Sequence, residues 1–156
     1  MAGRIDARLR ELGLELPTPG APAANYVPWV QTGHLLFISG QLSQTDPARR
    51  VIGKLGAGLT IEQGRQAARL CALQLIAQLR AALGGDLDRM ERVVRVGGFV
   101  HSAPDFHDQP QVMNGCSDVL VEVFGEAGRH ARTAVGVIAL PFGVAVEADA
   151  IFAVRE

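Results

Sequence analysis

The sequence predicts an α+β domain in which a single sheet carries two long helices on one face. Two stretches, one opening at Thr60 and one near Asp108, repeat their apolar residues at helical spacing. Segments rich in valine and isoleucine lie before, between and after them and are too short for comparable helices. Helices that follow strands in this way pack against one sheet, and with both on the same side the opposite face needs separate cover.

The elements follow in order. Residues 4–14 place Ile5, Leu9 and Leu12 on one helical stripe, and Gly13 followed by Pro17 and Pro19 ends it. Residues 17–24 hold three prolines and Gly20 and read as an extended connector, because too little chain precedes them to fold alone. Residues 26–31 and 35–39 suit a hairpin turning at Thr32 and Gly33, and residues 49–54 a third, poorer strand after the loop around Asp46 and Pro47. Thr60 and Gln63 have capping-box spacing. Ile61, Ala68, Cys71, Leu75, Leu79 and Ala82 then form a stripe that Gly84 and Gly85 close, so Cys71 reads as a small core residue. Residues 92–101 form a central strand, with Gly97 and Gly98 allowing another backbone to approach. Both faces of residues 93–100 are apolar, so the face away from the helices is expected to be buried by another subunit. The second helix starts near Asp108 and Pro110, shows Val112, Cys116, Val119 and Val123, and stops at Gly125. Strands at 132–139 and 144–154 follow, joined at Leu140, Pro141, Phe142 and Gly143.

The chain has 156 residues, enough for one domain, taken as 1–156 with residues 1–16 as a helical extension. Its net charge is −1, and Lys54 is the only lysine. Without a basic tract it is poorly suited to gripping a nucleic-acid backbone. Two distant cysteines and no signal-like start predict a reduced, cytoplasmic protein, and no apolar run approaches the roughly 20 residues that span a bilayer. His34, His101, His107 and His130 lack ligand-spaced partners, so no metal site is expected.

Several motifs lack the context that would make them functional. Gly53, Gly56 and Gly58 have no GK[ST] ending and read as a flexible turn, and neither Ser39 nor Ser117 lies in a GxSxG elbow. His130 beside Arg129 and Arg132 matches an anion or ribonuclease site in composition only, and Tyr26 and Trp29 are too few for a base-stacking platform. One pattern carries more. In the last strand Glu147 and Asp149 share a face that is otherwise apolar, and a carboxylate there must be paired, solvated at a cleft or protonated. Arg132 on the preceding strand could meet Glu147 across the sheet or across an interface. An ion pair that fixes register and a carboxylate-binding arginine beside an acid/base glutamate both satisfy that spacing.

The segments Asn25-Tyr26-Val27-Pro28, Phe37-Ile38-Ser39-Gly40-Gln41, Asn114-Gly115, and Ala131-Arg132-Thr133 through Leu140-Pro141 to Val146-Glu147 resemble the RidA (YjgF) family. The most specific part is an arginine followed eight residues later by Leu-Pro and then by a glutamate on the next strand. The resemblance implies a chorismate-mutase-like fold and a homotrimer whose sheets form a central barrel, with three clefts between subunits. It also implies hydrolysis of reactive 2-imino or enamino acids to 2-oxo acids and ammonia, with no metal or organic cofactor. Arg132 would hold the substrate carboxylate and Glu147 would position water and shuttle protons, with Tyr26, Ser39, Asn114 and His130 as substrate-binding residues. Where active members commonly have Arg-Ser-Cys-Val, this chain has Arg132-Thr133-Ala134-Val135. Its N-terminal helix and the run Gly128-Arg129-His130-Ala131 resemble a divergent subgroup labelled endoribonuclease or translation inhibitor. Two alternatives therefore stand beside the deaminase: a noncatalytic trimer binding small carboxylates, and an RNA-directed protein.

Overall fold

The computed structural model describes residues 3–22, 24–44 and 46–156. Helix α1 (Arg4–Glu11) buries Ile5 and Leu9. The Asp88 carboxylate accepts from the Arg4 and Ile5 amides at 2.8 and 2.9 Å, which satisfies two of the helix's free N-terminal donors. Those bonds hold the Asp88 carboxyl below its ordinary range. The helix ends three residues before the predicted boundary, because Gly13 turns left-handed (φ 66°) and Leu14 donates back to the Leu9 carbonyl.

The hairpin forms as β1 (Trp29–Thr32) and β2 (Leu35–Leu42), paired Trp29 to Ile38 and Thr32 to Leu35. It starts after Pro28, which has no amide to donate, and β2 continues through a bulge between Ile38 and Gln41. The predicted strand at 49–54 does not form. That region contributes isolated bridges, among them Ile52 to Val144, and the two-residue strands β3 (Lys54–Leu55) and β4 (Gly58–Leu59). Left-handed glycines at 53, 56 and 58 break the extended run.

Helix α2 (Ile61–Ala82) begins with the complete capping box, Thr60 Oγ1 accepting from the Gln63 amide and Gln63 Oε1 from the Thr60 amide. Such a cap stabilises a helix by about 1 kcal/mol. Strand β5 (Met90–His101), helix α3 (Gln109–Phe124), strand β6 (Ala131–Val137) and strand β7 (Val146–Val154) complete the order. The sheet runs β1-β2-β7-β5-β6, with β5 and β6 parallel and the other pairs antiparallel. The last two strands are therefore not neighbours. A parallel pair requires a crossover, α3 supplies it between β5 and β6, and β7 must insert on the other side of β5.

Both long helices cover one face of this mixed sheet. Leu36, Val96, Val146 and Phe152 meet Leu75, Leu79, Val112 and Leu120 in a core from which water is excluded. Cys71 and Cys116 are fully buried there, and burial pushes the Cys116 thiol up to about 12 and that of Cys71 well above its ordinary value. Gly97 and Gly98 make room for side chains rather than for another backbone. A Cβ on Gly97 would meet the Asp149 carboxylate and one on Gly98 the Met113 side chain.

The other face is open, and one chain closes no barrel. Phe37 and Val135 are exposed on it, and a polar strip crosses it. Arg95 lies 3.8 Å from Asp149 and donates to Thr133 at 3.2 Å, while Asp149 accepts from the Gly97 amide at 3.1 Å. This face is thus only partly apolar, against the expectation from residues 93–100. Among the described residues no helix is long and apolar enough to cross a membrane.

Candidate functional site

Along β7, Val146, Ala148, Ala150 and Phe152 face the helices, and the residues between them, Glu147 and Asp149 included, face the open side. Arg132 pairs with Val96 of β5, whose side chain is in the helix-side core, and so points toward α3. Strand β5 separates the two strands, and Glu147 pairs with Phe99. Within one chain, Arg132 and Glu147 cannot meet across the sheet. The candidate residues fall instead into two groups on opposite faces.

The first group surrounds Glu147. Beyond the end of β1, the bulged part of β2 borders a cavity of about 520 Å³. Tyr26, Ser39 and Glu147 line it together. Ser39 is fixed by its hydroxyl, which donates to the Val27 carbonyl at 2.7 Å, and by its amide, which donates to Pro28 at 3.0 Å. Gly40 leaves the carboxylate its place: a Cβ there would lie 2.2 Å from Glu147 Oε1. Burial, and after it the neighbouring Asp149 charge, raises the Glu147 carboxyl above its ordinary value. A group so shifted exchanges protons closer to neutral pH than a solvated glutamate.

The second group surrounds Arg132. Asn114 and Ser117 lie one turn apart on α3, and the guanidinium donates from Nη1 to Asn114 Oδ1 (2.9 Å) and Ser117 Oγ (3.1 Å), and from Nη2 to the Pro110 carbonyl (3.3 Å). Of its five donors, Nε–H and one on Nη2 remain without a partner among the described residues. Nε and Nη2 share one edge of the guanidinium, the fork that matches a carboxylate. His130 stands behind this array. Its Nδ1 donates to the Gly128 carbonyl at 2.6 Å, so Nε2 accepts from the Ser117 hydroxyl at 2.9 Å. Burial first, and the Arg132 charge as well, lower the His130 pKa against the opposing pull of the Gly128 carbonyl. With both ring nitrogens engaged, His130 reaches Arg132 through Ser117 and presents no free nitrogen.

Sequence reasoning missed several contributors. Ser117 is a partner of Arg132, and its spacing from Asn114 on one helical face was the available signal. Gly115 lets α3 pack closely, since a Cβ would lie 2.2 Å from the Arg65 carbonyl of α2. The connector residues Gly20, Ala21 and Pro22 wall the Glu147 cavity, and so do Arg50 and Phe142. Their proximity depends on hydrogen bonds between loops distant in sequence, such as Gly53 to Gly143 and Ala145 to Val51. Among the described residues, no three His, Cys, Asp or Glu side chains converge as metal ligands would.

A mixed sheet backed by two helices, with a cavity at the bulged strand and an arginine anchored on the crossover helix, defines a chorismate-mutase-like α+β protein. The family described as "YjgF/chorismate_mutase-like, putative endoribonuclease" matches residues 6–146, and the chain belongs to it. It is 54% identical to Protein TCP17 of Trypanosoma cruzi over 151 residues, covering 96% of this chain and 94% of that one. The structure of the protein Atu1372 from Agrobacterium tumefaciens superposes with a TM-score of 0.89 at 45% identity, over 97% of this chain and 94% of the other. That of TdcF from E. coli, solved with bound serine, gives 0.60 at 26% identity over 89% and 94%.

Proposed function

We propose that this protein hydrolyses 2-imino acids, and their enamine tautomers, to 2-oxo acids and ammonia at a site built from two copies of the chain. The observation that carries the reading is the separation of the two groups. One face holds a glutamate raised toward neutrality in a cavity, and the other an arginine with an unspent carboxylate fork. A homotrimer whose open sheet faces pack together would cover Phe37 and Val135, and it would bring Arg132 of one copy to the Glu147 cavity of the next. The interface would be heterologous and closed by rotation.

In the reaction Arg132 pairs with the substrate carboxylate and fixes the imine carbon over the cavity. The Glu147 carboxylate takes a proton from water as the oxygen bonds to that carbon and the C=N π pair moves to nitrogen. The resulting carbinolamine receives a proton on nitrogen from Glu147. Glu147 then takes the carbinolamine's hydroxyl proton and passes it to nitrogen, so the O–H electron pair closes C=O as the C–N bond breaks and ammonia leaves. Water supplies the oxygen and the imine supplies the nitrogen, so no external oxidant or reductant enters. Ala134, where active members commonly have cysteine, removes no group that this scheme uses.

The serine bound to TdcF favours a second reading, a cleft of the same construction that holds a small amino or oxo acid without turning it over. The endoribonuclease part of the family's description gains nothing from His130, whose ring nitrogens are both engaged. The test is ammonia release from freshly generated 2-iminobutanoate. Acceleration that Arg132→Ala sharply lowers at substrate concentrations below the wild-type KM supports the deaminase; binding of 2-oxobutanoate with no acceleration supports the binding protein instead.

A further inference from the structure

The Glu147 cavity contains a cation that the proposed reaction does not use. Arg50 lines it, with its guanidinium 4.1 Å from the centroid of the Phe142 ring and its Nε–H directed to the Gln44 carbonyl at 3.4 Å. Phe142 is the one non-glycine residue among those described with a left-handed backbone (φ 58°), and its ring is 66% exposed. A bulky residue held in that conformation is strained, and exposing an aromatic ring adds no burial in return. The loops that carry the pair are tied together by Gly53 to Gly143, Ala145 to Val51 and the Ile52–Val144 bridge. The stack is therefore built into the cavity wall.

Gln41 and Gln78 are buried at the cavity, with Gln78 Nε2 donating to the Gly20 carbonyl at 3.1 Å and Gln41 Nε2 to Ser39 at 3.0 Å. The volume, about 520 Å³, lies in the usual range for small-ligand sites and leaves room beyond an α-carboxylate and an imine carbon.

We infer that Arg50 is a specificity residue and that the ligand carries a second anionic group on its side chain, as a four- or five-carbon dicarboxylate does. This rests on the reading above, in which Arg132 takes the α-carboxylate. Arg50, its flat face on Phe142, takes the distal one with in-plane N–H donors.

Isothermal titration of the purified 156-residue chain with 2-oxoglutarate and with 2-oxobutanoate tests it. The diacid is expected to bind about tenfold or more tightly than the monoacid. Arg50→Gln brings the diacid down to the monoacid's affinity and leaves the monoacid unchanged, Arg50→Lys keeps part of the preference, and Arg132→Ala weakens both. Equal affinities in the wild type, equal losses of both ligands in Arg50→Gln, or no binding of either would overturn the inference; thermal melts show whether each variant is folded. The hydrolysis reading fails separately: a diacid preference with no accelerated ammonia release removes the reaction and keeps the specificity, and monoacid imine turnover without a diacid preference does the reverse.

Discussion

The Glu147 and Arg132 groups solve different problems on opposite faces of one sheet. Glu147 sits in a cavity made by its own chain, where burial and Asp149 move its proton affinity, and Gly40 leaves space for its carboxylate. Arg132 stands on the edge strand β6, held by three hydrogen bonds to α3. One group is tuned in chemistry and the other fixed in direction. The contrast teaches that one chain can carry two chemically complementary groups on faces that it does not itself bring together.

Substitutions should separate the two roles. Glu147→Gln is expected to lower kcat by roughly 10²–10⁴, the usual worth of a general acid/base, with KM little changed. Arg132→Ala should act mainly through KM, by about 10²-fold, because two charge-assisted hydrogen bonds are lost at roughly 1.5–3 kcal/mol each when measured alone. Steady-state kinetics showing the opposite split would break the comparison. Gly40→Ala should come next, with kcat reduced about tenfold as the new methyl displaces the Glu147 carboxylate from its place. A crystal structure of that variant with Glu147 unmoved would count against it. Ser117→Ala removes one support of Arg132 and should raise KM by about fivefold, the worth of roughly 1 kcal/mol, without altering kcat.

The smallest effect concerns stability. A carboxyl whose folded pKa is raised binds its proton more tightly in the native state, so its stabilising contribution is present below the unfolded value of about 4.3 and is lost as pH rises through the folded value. Ionised Glu147 therefore opposes folding at neutral pH. Glu147→Gln should melt slightly higher than wild type at pH 7, and the difference should close below pH 4.3. A gap of one size at both pH values would show that the carboxyl is not shifted.

Different parts of the molecule were legible in the sequence to different degrees. Helix α2 could be read because Thr60, Gln63 and the stripe through Leu75 and Leu79 all act within one turn or a few turns. The order of β5, β6 and β7 could not, since pairing between strands far apart in sequence leaves no local periodicity. The same limit applied to the site. Arg132, Glu147, Tyr26 and Ser39 stood in recognisable segments, yet the faces on which they lie depend on β5 passing between β6 and β7. Arg50 and Phe142 left no sequence signal, because their stack depends on a left-handed phenylalanine and on bonds between distant loops.

The central claim, that Arg132 of one copy completes the Glu147 cavity of another, is tested most directly by mixing two variants, each strongly impaired at substrate concentrations below the wild-type KM. Arg132→Ala and Glu147→Gln chains, co-refolded in equal amounts, should recover about a quarter of wild-type turnover, since in a closed ring half the cavities have an intact glutamate and half of those face an intact arginine. Turnover that stays at the sum of the two parent variants, in mixtures shown to contain both chains, would contradict it.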